Sequence, residues 1–360
     1  MLIQSILFLT GILGVYFGAE WLVRGSSNLS RELGIKPIVI GLTVVAFGTS
    51  SPELAVSLTA AIRGSDEIAI GNIIGSNVAN IGLVLGLSAI VFPVMVERII
   101  MKSELPLMIV ISAILYLMAI DKEIGFVDGL FLFTGIIMYI SYHIYGAINS
   151  KGKEHKLTRN TNKDSPNQLK HTSPSAPLYT HTLSQSVDSN EAMNSGKVGT
   201  RKLTNKQSST KRKNLWLNIL FIAAGLAGLL IGAHLLVKAA IFIAGRFGIS
   251  EMVIGLTAVA VGTSIPEMAT SVVSAFRKEA EICMGNVIGS NIFNMLMVIG
   301  SVALIRPLNL MRETLFYEFP AMLLFSIALI PMIRGNLKVN RIEGFLLVLG
   351  YFIFIIFLFR

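Results

Sequence analysis

Long runs of apolar residues, separated by short polar stretches, dominate the pattern along the chain. A transmembrane helix needs about 20 apolar residues to cross the hydrocarbon core of a bilayer. Ten runs of about this size occur, roughly at 2–23, 36–61, 68–93, 105–120, 124–147, 215–240, 249–275, 281–305, 316–333 and 341–359. The pattern predicts an all-α polytopic membrane protein with ten transmembrane helices.

A polar segment at 148–214 divides the ten runs into two sets of five. The segment is rich in Ser, Thr, Asn, Lys and Pro, and such a composition cannot bury enough apolar surface to offset the entropy lost on ordering. We therefore predict a disordered loop between two five-helix halves, residues 1–147 and 215–360.

Composition and charge agree with this division. The chain is 53% hydrophobic and only 14% charged, against about 25% charged in ordinary soluble domains. The net charge of +9 lies entirely in 148–214, which holds 13 basic and 4 acidic residues. The charge therefore indicates a basic loop and not a nucleic-acid-binding surface. The single cysteine, Cys283, excludes a disulfide framework.

The distribution of basic residues also predicts the orientation in the membrane. Basic residues favour the cytoplasmic side, and the short loops of the first half carry most of theirs on the side of the long loop. These are Arg24, Arg31, Lys36, Arg98 and Lys102. We predict a multi-pass protein of the cell membrane, with the long loop in the cytoplasm and both termini outside.

The two halves contain an internal repeat. Residues 41–86 and 255–300 align without a gap at an offset of 214 and are identical at 25 of 46 positions. Because each half has an odd number of predicted spans, the second copy enters the membrane from the opposite face. Substrate sites in inverted repeats of this kind lie near the bilayer midplane, on helices interrupted by Gly or Pro.

The motif G-T-S-x-P-E occurs at 48–53 and again at 262–267, each time inside a long apolar run. Pro52 and Pro266 break their helices because proline lacks the backbone donor and clashes with the preceding turn. Backbone carbonyls freed near 46–49 and 260–263 then need partners at membrane depth. Nearby hydroxyls supply further oxygens, at Thr49, Ser50, Thr263 and Ser264.

Each motif ends in a glutamate, Glu53 or Glu267. A carboxylate at membrane depth costs a few kcal/mol, so it normally faces the protein interior and serves transport. Two equivalent glutamates would place two carboxylates in one pocket. Carboxylate, carbonyl and hydroxyl oxygens together suit a hard cation such as Ca²⁺, and no thiolate or imidazole stands nearby to favour zinc or copper.

A second motif, G-N-x-x-G-S-N-x-x-N, follows at 71–80 and at 285–294. Residues 72, 76 and 80 share one helical face because they are four apart, and their equivalents in the second copy do the same. We predict that some of these polar residues bind the ion directly or support its ligands, namely Ser76, Asn80, Ser290 and Asn294. The remaining asparagines are expected to hydrogen-bond to the broken helices, namely Asn72, Asn77, Asn286 and Asn291. The motif glycines are expected to allow close helix approach.

These paired motifs resemble the two α-repeats of the calcium/cation antiporter superfamily, in its sodium/calcium exchanger branch. The resemblance implies two inverted five-helix halves that exchange Ca²⁺ for Na⁺ by alternating access. It implies a central calcium site formed by Glu53, Glu267 and the carbonyls of Thr49 and Thr263. It implies flanking sodium sites at Ala46, Thr49, Ser50, Glu53 and Ser76, and at Ala260, Thr263, Ser264, Glu267 and Ser290. Asn80 and Asn294 would line the middle position.

At Asn294 this chain differs from some relatives, and the difference affects the expected ion selectivity. Some relatives, including potassium-dependent exchangers, have an aspartate where this chain has Asn294. The neutral amide removes a charge that would help to hold a monovalent ion, so we expect a potassium-independent exchanger. A potassium-dependent exchanger and a proton/calcium antiporter remain open as alternatives.

Two function classes outside exchange are less compatible with the sequence. One enclosed site in an inverted repeat argues against a channel, and no Ser/His/Asp set or H-E-x-x-H motif indicates an intramembrane enzyme. We expect no catalytic residues, no resident cofactor and no obligate protein partner, with Ca²⁺ and Na⁺ bound as substrates.

The acidic residues outside the two motifs are expected to have other roles. Four of them are expected at span ends in contact with water, namely Glu97, Glu104, Glu313 and Glu318. Glu20 and His234 occupy equivalent positions in the first span of each half, and each is expected to snorkel or to form an interhelical bond.

Overall fold

A computed structural model describes residues 2–161, 200–246 and 262–358. Within these ranges the chain is helical almost throughout. The helices are α1 (Leu2–Leu33), α2 (Pro37–Thr49), α3 (Ser51–Ile62), α4 (Asp66–Val91), α5 (Ile100–Asp121), α6 (Phe126–Thr161), α7 (Thr200–Arg246), α8 (Ile265–Phe276), α9 (Ala280–Ile305), α10 (Thr314–Asn336) and α11 (Arg341–Leu358).

The described helices identify a helical polytopic membrane protein. Eight of them are long and apolar enough to cross a membrane, and α2 and α3 together supply a ninth candidate with a bend of 41°. The predicted run at 249–275 is described only from residue 262 onwards. Large apolar side chains on the outer helices are exposed, as lipid-facing residues would be, including Ile342 and Phe352 on α11.

The predicted boundaries of the long loop fall inside helices. α6 continues to Thr161 and α7 begins at Thr200, while 162–199 lie outside the described residues. The Lys-, Arg- and Leu-containing ends of the segment are good helix formers, and each continues an adjoining span.

α4 and α9 form the centre of the molecule. Most of the apolar part of each helix is buried, 78% in α4 and 83% in α9, whereas the buried share is at most 39% in the other six long candidate spans. Apolar residues such as Ile73, Ile74, Val287 and Ile288 are fully buried in the main core. These two helices carry the second sequence motif, so that motif lies in the interior of the protein.

Each half also contains π-helical stretches at equivalent positions. They occur at Asn80–Leu85 in α4 and Asn294–Val298 in α9, and at Ile100–Glu104 in α5 and Thr314–Glu318 in α10. Stretches of this kind are often found at functional sites. The first pair begins at the two asparagines that end the second motif.

α1 and α7 pack against each other along their length through glycines. A Cβ atom added to Gly18 would lie 2.5 Å from the Leu229 backbone nitrogen, and one added to Gly225 would lie 2.4 Å from the Leu22 nitrogen. Only glycine allows such an approach between two backbones. A small apolar cluster joins the two helices to α2 and α9, through Ile40, Val45 and Ile282.

Polar contacts join α1 to the turn that follows α8. The carboxylate of Glu20 pairs with the guanidinium of Arg277, which directly follows α8, so of the two expected arrangements it forms a bond to a neighbouring helix end. Glu279 accepts a hydrogen bond from Ser27 Oγ at 2.7 Å and pairs with Arg31 at 3.0 Å. α1 is therefore held both by α7 and by charges on the main core.

Two short antiparallel strand pairs join the halves outside the helices. β1 (Val94–Met95) pairs with β4 (Lys338–Val339), and β2 (Glu123–Ile124) pairs with β3 (Leu308–Asn309). β1 and β3 occupy equivalent positions in the two halves, since they are 214 residues apart. Each pair therefore contains one strand from each half.

Glu104 does not contact water as its place at a span end predicted. Its side chain is 2% exposed. Ser103 Oγ donates to Oε1 at 2.9 Å, Tyr139 OH donates to Oε2 at 3.3 Å, and His143 Nε2 lies 3.4 Å from Oε2. The prediction was wrong because α6 covers this end of α5 with polar side chains.

Candidate ion-binding site

The first motif, G-T-S-x-P-E, interrupts a helix in each half. In the first half the helix is interrupted at Ser50, with φ −79° and ψ 2°, and α3 begins at Ser51 with Pro52 in its first turn. In the second half Ser264 has φ −87° and ψ 1°, and Pro266 lies in the first turn of α8. The repeat therefore gives two similar turns followed by short helices.

The backbone bonds around the first break show which carbonyls are occupied. Ser50 N donates to Ala46 O at 2.9 Å and Leu54 N donates to Ser50 O at 3.2 Å. The carbonyl of Gly48, which Pro52 would otherwise have engaged, accepts the Ser51 hydroxyl at 2.7 Å. The carbonyl of Thr49 takes part in none of these bonds across the break.

Glu53 and Glu267 lie in the first turns of α3 and α8, and both are completely buried. Ser50 Oγ, from the first half, donates to Glu267 Oε1 at 3.4 Å. Among the described residues, both carboxylate oxygens of Glu53 and Oε2 of Glu267 have no hydrogen-bond partner.

The remaining oxygens predicted from the first motif are also buried where they are described. This holds for Ala46, Thr49, Ser50, Thr263 and Ser264. Ser264 Oγ has no hydrogen-bond partner among the described residues. Ala260 lies outside the described residues.

Asn72 and Asn286 bond to the broken helices, as predicted. Asn72 Nδ2 donates to Ser57 Oγ at 2.9 Å and to the Glu53 carbonyl at 3.4 Å, both in α3. Asn286 Nδ2 makes the equivalent bonds in α8, to Ser271 Oγ at 2.9 Å and to the Glu267 carbonyl at 3.3 Å.

Sequence reasoning did not identify Ser57 and Ser271, which hold these two asparagines. The signal was present, because the two serines are equivalent positions and identical in the repeat. A hydroxyl in the middle of a short apolar helix needs a partner when it is buried, and the neighbouring repeat motif supplies one.

Asn77 and Asn291 do not bond to the broken helices, so that prediction was wrong. Asn77 Nδ2 approaches Met322 Sδ at 3.5 Å. Asn291 Nδ2 donates to the Asn77 carbonyl at 3.2 Å, and its Oδ1 accepts from Asn80 Nδ2 at 3.0 Å. Asn77 therefore faces α10 and Asn291 faces α4, and among the described residues neither side chain hydrogen-bonds to α3 or α8.

The other polar residues of the second motif lie between the halves. Asn294 Nδ2 donates to Ser76 Oγ at 3.1 Å, and Ser290 Oγ lies 3.3 Å from Thr49 Oγ1. The amide oxygens of Asn80 and Asn294 are buried and have no hydrogen-bond partner among the described residues. Both amides use their NH₂ groups in bonds to the other half, which leaves their oxygens as acceptors.

The glycines of the second motif behave as expected where their partners are described. Cβ atoms added to Gly285 and Gly289 would lie 2.9 Å from Gly41 Cα and 2.7 Å from Ala46 Cβ, respectively. Close packing of α9 on α2 therefore depends on these two positions. The equivalent partners of Gly71 and Gly75 fall in 252–260, outside the described residues.

The arrangement can hold a hard cation. Buried acceptors without donors are costly in a protein interior, and here carboxylate and amide oxygens of both halves share this property. Oxygen ligands of this kind suit Ca²⁺. Within the described ranges no group of three or more His, Cys, Asp or Glu is placed so that it could hold a metal ion. The buried carboxylates of this site belong to Glu53 and Glu267.

Comparisons with known proteins agree with this chemistry. The family model for sodium/calcium exchanger protein matches residues 3–150 and 217–360. The sodium/calcium exchanger MaX1 of Methanosarcina acetivorans is 32% identical over 363 residues, covering 99% of each chain. The inner membrane protein YrbG of Escherichia coli is 32% identical over 358 residues, covering 99% of this chain and 96% of that protein.

A solved structure extends the match to the whole fold. A structure of the sodium-calcium exchanger NCX_Mj matches with a TM-score of 0.74 and 28% identity, and covers 99% of each chain. The chain belongs to the sodium/calcium exchanger family and is a multi-pass membrane transporter, not an enzyme, that performs cation/Ca²⁺ antiport.

Proposed function

We propose that this protein exchanges Ca²⁺ for Na⁺ across the cell membrane without requiring K⁺. The observation that carries the proposal is the pair of fully buried glutamates, Glu53 and Glu267, from equivalent positions of the two halves. Their neighbours contribute only neutral oxygens. Two carboxylates balance one Ca²⁺, and hydroxyls and carbonyls beside them suit Na⁺.

The proposed calcium site uses the two glutamates and the backbone carbonyls of Thr49 and Thr263. The proposed sodium sites flank it and share its oxygens. One uses Ala46, Thr49, Ser50, Glu53 and Ser76, and the other uses Ala260, Thr263, Ser264, Glu267 and Ser290. Asn80 and Asn294 line the position between the two sodium sites, with amide oxygens that carry no charge. Because the sites share ligands, the two cations compete.

Charge gives a physical reason for exchange. Without a cation, two ionised carboxylates would lie in a low-dielectric interior, where moving them between the two faces is unfavourable. One Ca²⁺ or several Na⁺ neutralise the pocket and allow the transporter to change the face that is open. A sodium gradient can then drive calcium uphill, because each change of face requires one of the two cations.

We further propose ten spans arranged as two inverted five-helix halves, and the strand pairs support this arrangement. If both halves had the same orientation, the α4–α5 connection would share a membrane face with its equivalent, the α9–α10 connection. Instead β1, in the α4–α5 connection, pairs with β4 in the α10–α11 connection. That connection lies one crossing further along, so the pairing favours opposite orientations. We also propose that the long loop lies in the cytoplasm and that both termini lie outside.

Replacement of each glutamate tests the site. An elementary charge pair at 4 Å contributes about 4 kcal/mol at an effective dielectric constant of 20, roughly a thousandfold in affinity. Glu53→Gln and Glu267→Gln should therefore each abolish Na⁺-driven Ca²⁺ uptake into proteoliposomes. Glu104→Gln is the matched control, because Glu104 is also buried in the membrane region but lies in a separate cluster. Near-normal uptake in either site variant would overturn the assignment.

The coupling ion is tested by changing one gradient at a time. With wild-type protein we expect Ca²⁺ uptake with an outward Na⁺ gradient, no uptake with a pH gradient in the absence of Na⁺, and no change on adding K⁺. Uptake driven by the pH gradient alone would favour a proton/calcium antiporter. Strict dependence on K⁺ would contradict the role given to the neutral Asn294.

A further inference from the structure

The two asparagines at the start of the second motif also connect the halves to each other. Thr263 Oγ1, from the second half, donates to Asn72 Oδ1 at 3.2 Å. Thr49 Oγ1, from the first half, donates to Asn286 Oδ1 at 3.0 Å. Each asparagine side chain thus contacts its own half through its NH₂ group and the other half through its oxygen.

The hydrogen bonds of the Asn72 side chain explain why an asparagine is needed at this position. The NH₂ group of Asn72 supplies two donors, to Ser57 Oγ and to the Glu53 carbonyl, while its oxygen accepts from Thr263. An aspartate has no donors, and an apolar residue would remove all three of these bonds. The same reasoning applies to Asn286, whose bonds repeat the pattern at nearly the same distances.

We propose that Asn72 and Asn286 are positioning residues that couple the two halves of the ion site. The inference rests on the proposed function, since it concerns the same glutamates and threonines. Asn72 fixes the backbone of Glu53 relative to Thr263, and Asn286 fixes the backbone of Glu267 relative to Thr49. Each asparagine therefore sets the distance between the carboxylate of one half and the threonine carbonyl of the other.

Ion binding should be sensitive to these bonds because a cation needs its ligands from both halves at once. Metal–ligand distances tolerate deviations of only about 0.2 Å, and the crossed bonds are among the polar contacts that hold these backbones. Loss of one asparagine is expected to raise the Ca²⁺ concentration for half-saturation about tenfold. The maximal rate of exchange should change less, because the asparagine contacts no ion.

Double-mutant cycles test the crossed pattern directly. The variants are Asn72→Ala, Asn286→Ala, Thr49→Val and Thr263→Val, alone and in pairs, and the measurement is equilibrium ⁴⁵Ca²⁺ binding to purified protein. Valine removes the threonine hydroxyl and keeps its backbone carbonyl. We expect Asn72 to couple with Thr263, and Asn286 with Thr49, with an interaction of several-fold in affinity.

The uncrossed pairs are the matched controls. Asn72 with Thr49, and Asn286 with Thr263, share no bond in the structure, so their effects should be independent. Independence in the crossed pairs, or equal coupling in crossed and uncrossed pairs, would overturn the positioning role. If Asn72→Ala does not fold, Asn72→Ser enters the same cycles, because serine is too short to make both sets of bonds.

The outcomes separate this inference from the proposed function. Wild-type protein that binds no Ca²⁺ would contradict the proposed function itself. Wild-type binding with independent crossed pairs would contradict only the role of the asparagines. A merely structural role would lower thermal stability in all four single variants without producing the difference between crossed and uncrossed pairs.

Discussion

Gly289 gives a sharp test of how the helix packing positions one of the proposed sodium ligands. It lies in α9, and α9 crosses α2 at this point. A Cβ atom added here would lie 2.7 Å from Ala46 Cβ and 2.9 Å from both the Cα and the carbonyl oxygen of Leu42. Two of these three atoms belong to the backbone, so no side-chain rotation can make room. Gly289→Ala must therefore push α2 away from α9.

The size of the effect can be worked from these distances. Ala46 would have to move by about 0.7 Å to reach an ordinary contact of 3.4 Å, several times the tolerance of about 0.2 Å for a metal ligand. Inserting a methyl group into a packed interior costs about 1–3 kcal/mol. If about 1–2 kcal/mol of this appears in ion binding, the half-saturating Na⁺ concentration rises about 5–30-fold.

Calcium should be affected less than sodium. The carbonyl of Ala46 is assigned to a sodium site, whereas the central calcium site uses the glutamates and the threonine carbonyls. The assay is Ca²⁺ uptake into proteoliposomes at varied Na⁺ and varied Ca²⁺ concentrations. The ratio of the two half-saturating concentrations is the informative quantity, because damage to the whole site would raise both equally.

Two controls complete the experiment. Gly335→Ala adds a methyl group at an exposed position of α10 where the described residues offer nothing within 4 Å, so its ion dependence should match wild type. Cys283, the single cysteine, is buried, so its reaction with a thiol reagent on heating reports unfolding. A folded Gly289→Ala protein with wild-type Na⁺ dependence would refute the reasoning.

Two further predictions concern residues outside the ion site. Arg277→Gln removes the partly exposed ion pair with Glu20, worth about 0.2–1 kcal/mol. We expect α1 and α7 to move against the core between the two access states, and the variant to shift the equilibrium between these states by at most about fivefold. Spin-label distances between α1 and α9 measure the shift, and 1 M salt should reproduce it in wild type; no shift would show that the pair does not bias access. Glu104→Gln removes the charge facing His143 and should lower the free energy of unfolding by about 1–3 kcal/mol, read from heat exposure of Cys283. A change in ion selectivity would contradict the separation of this cluster from the site.

Hydropathy and the repeat predicted most of the architecture. Membrane spans can be located from sequence because lipid imposes one requirement, apolar side chains with internally bonded backbone, on about 20 successive residues. The interruption at Ser50 was also predictable, because Pro52 acts on its own local turn. These features depend on short stretches of chain.

The environment of individual polar residues was harder to predict. Glu104 was expected in water because it stands at the end of an apolar run, yet Tyr139 and His143 from another helix cover it. Asn77 and Asn291 belong to the same motif as Asn72 and Asn286, but they contact α10 and α4 instead of the broken helices. Such contacts depend on the rotation of one helix against another, which the pattern within a single helix does not contain.

The packing of α1 on α7 has a consequence for the covalent connection between the halves. α1 comes from the first half and α7 from the second, so their close packing joins the halves, and the strand pairs join them again at two other places. The peptide chain between them is then not what keeps them together. Two polypeptides, divided within 162–199 and produced in the same cell, should find each other and assemble into a working transporter.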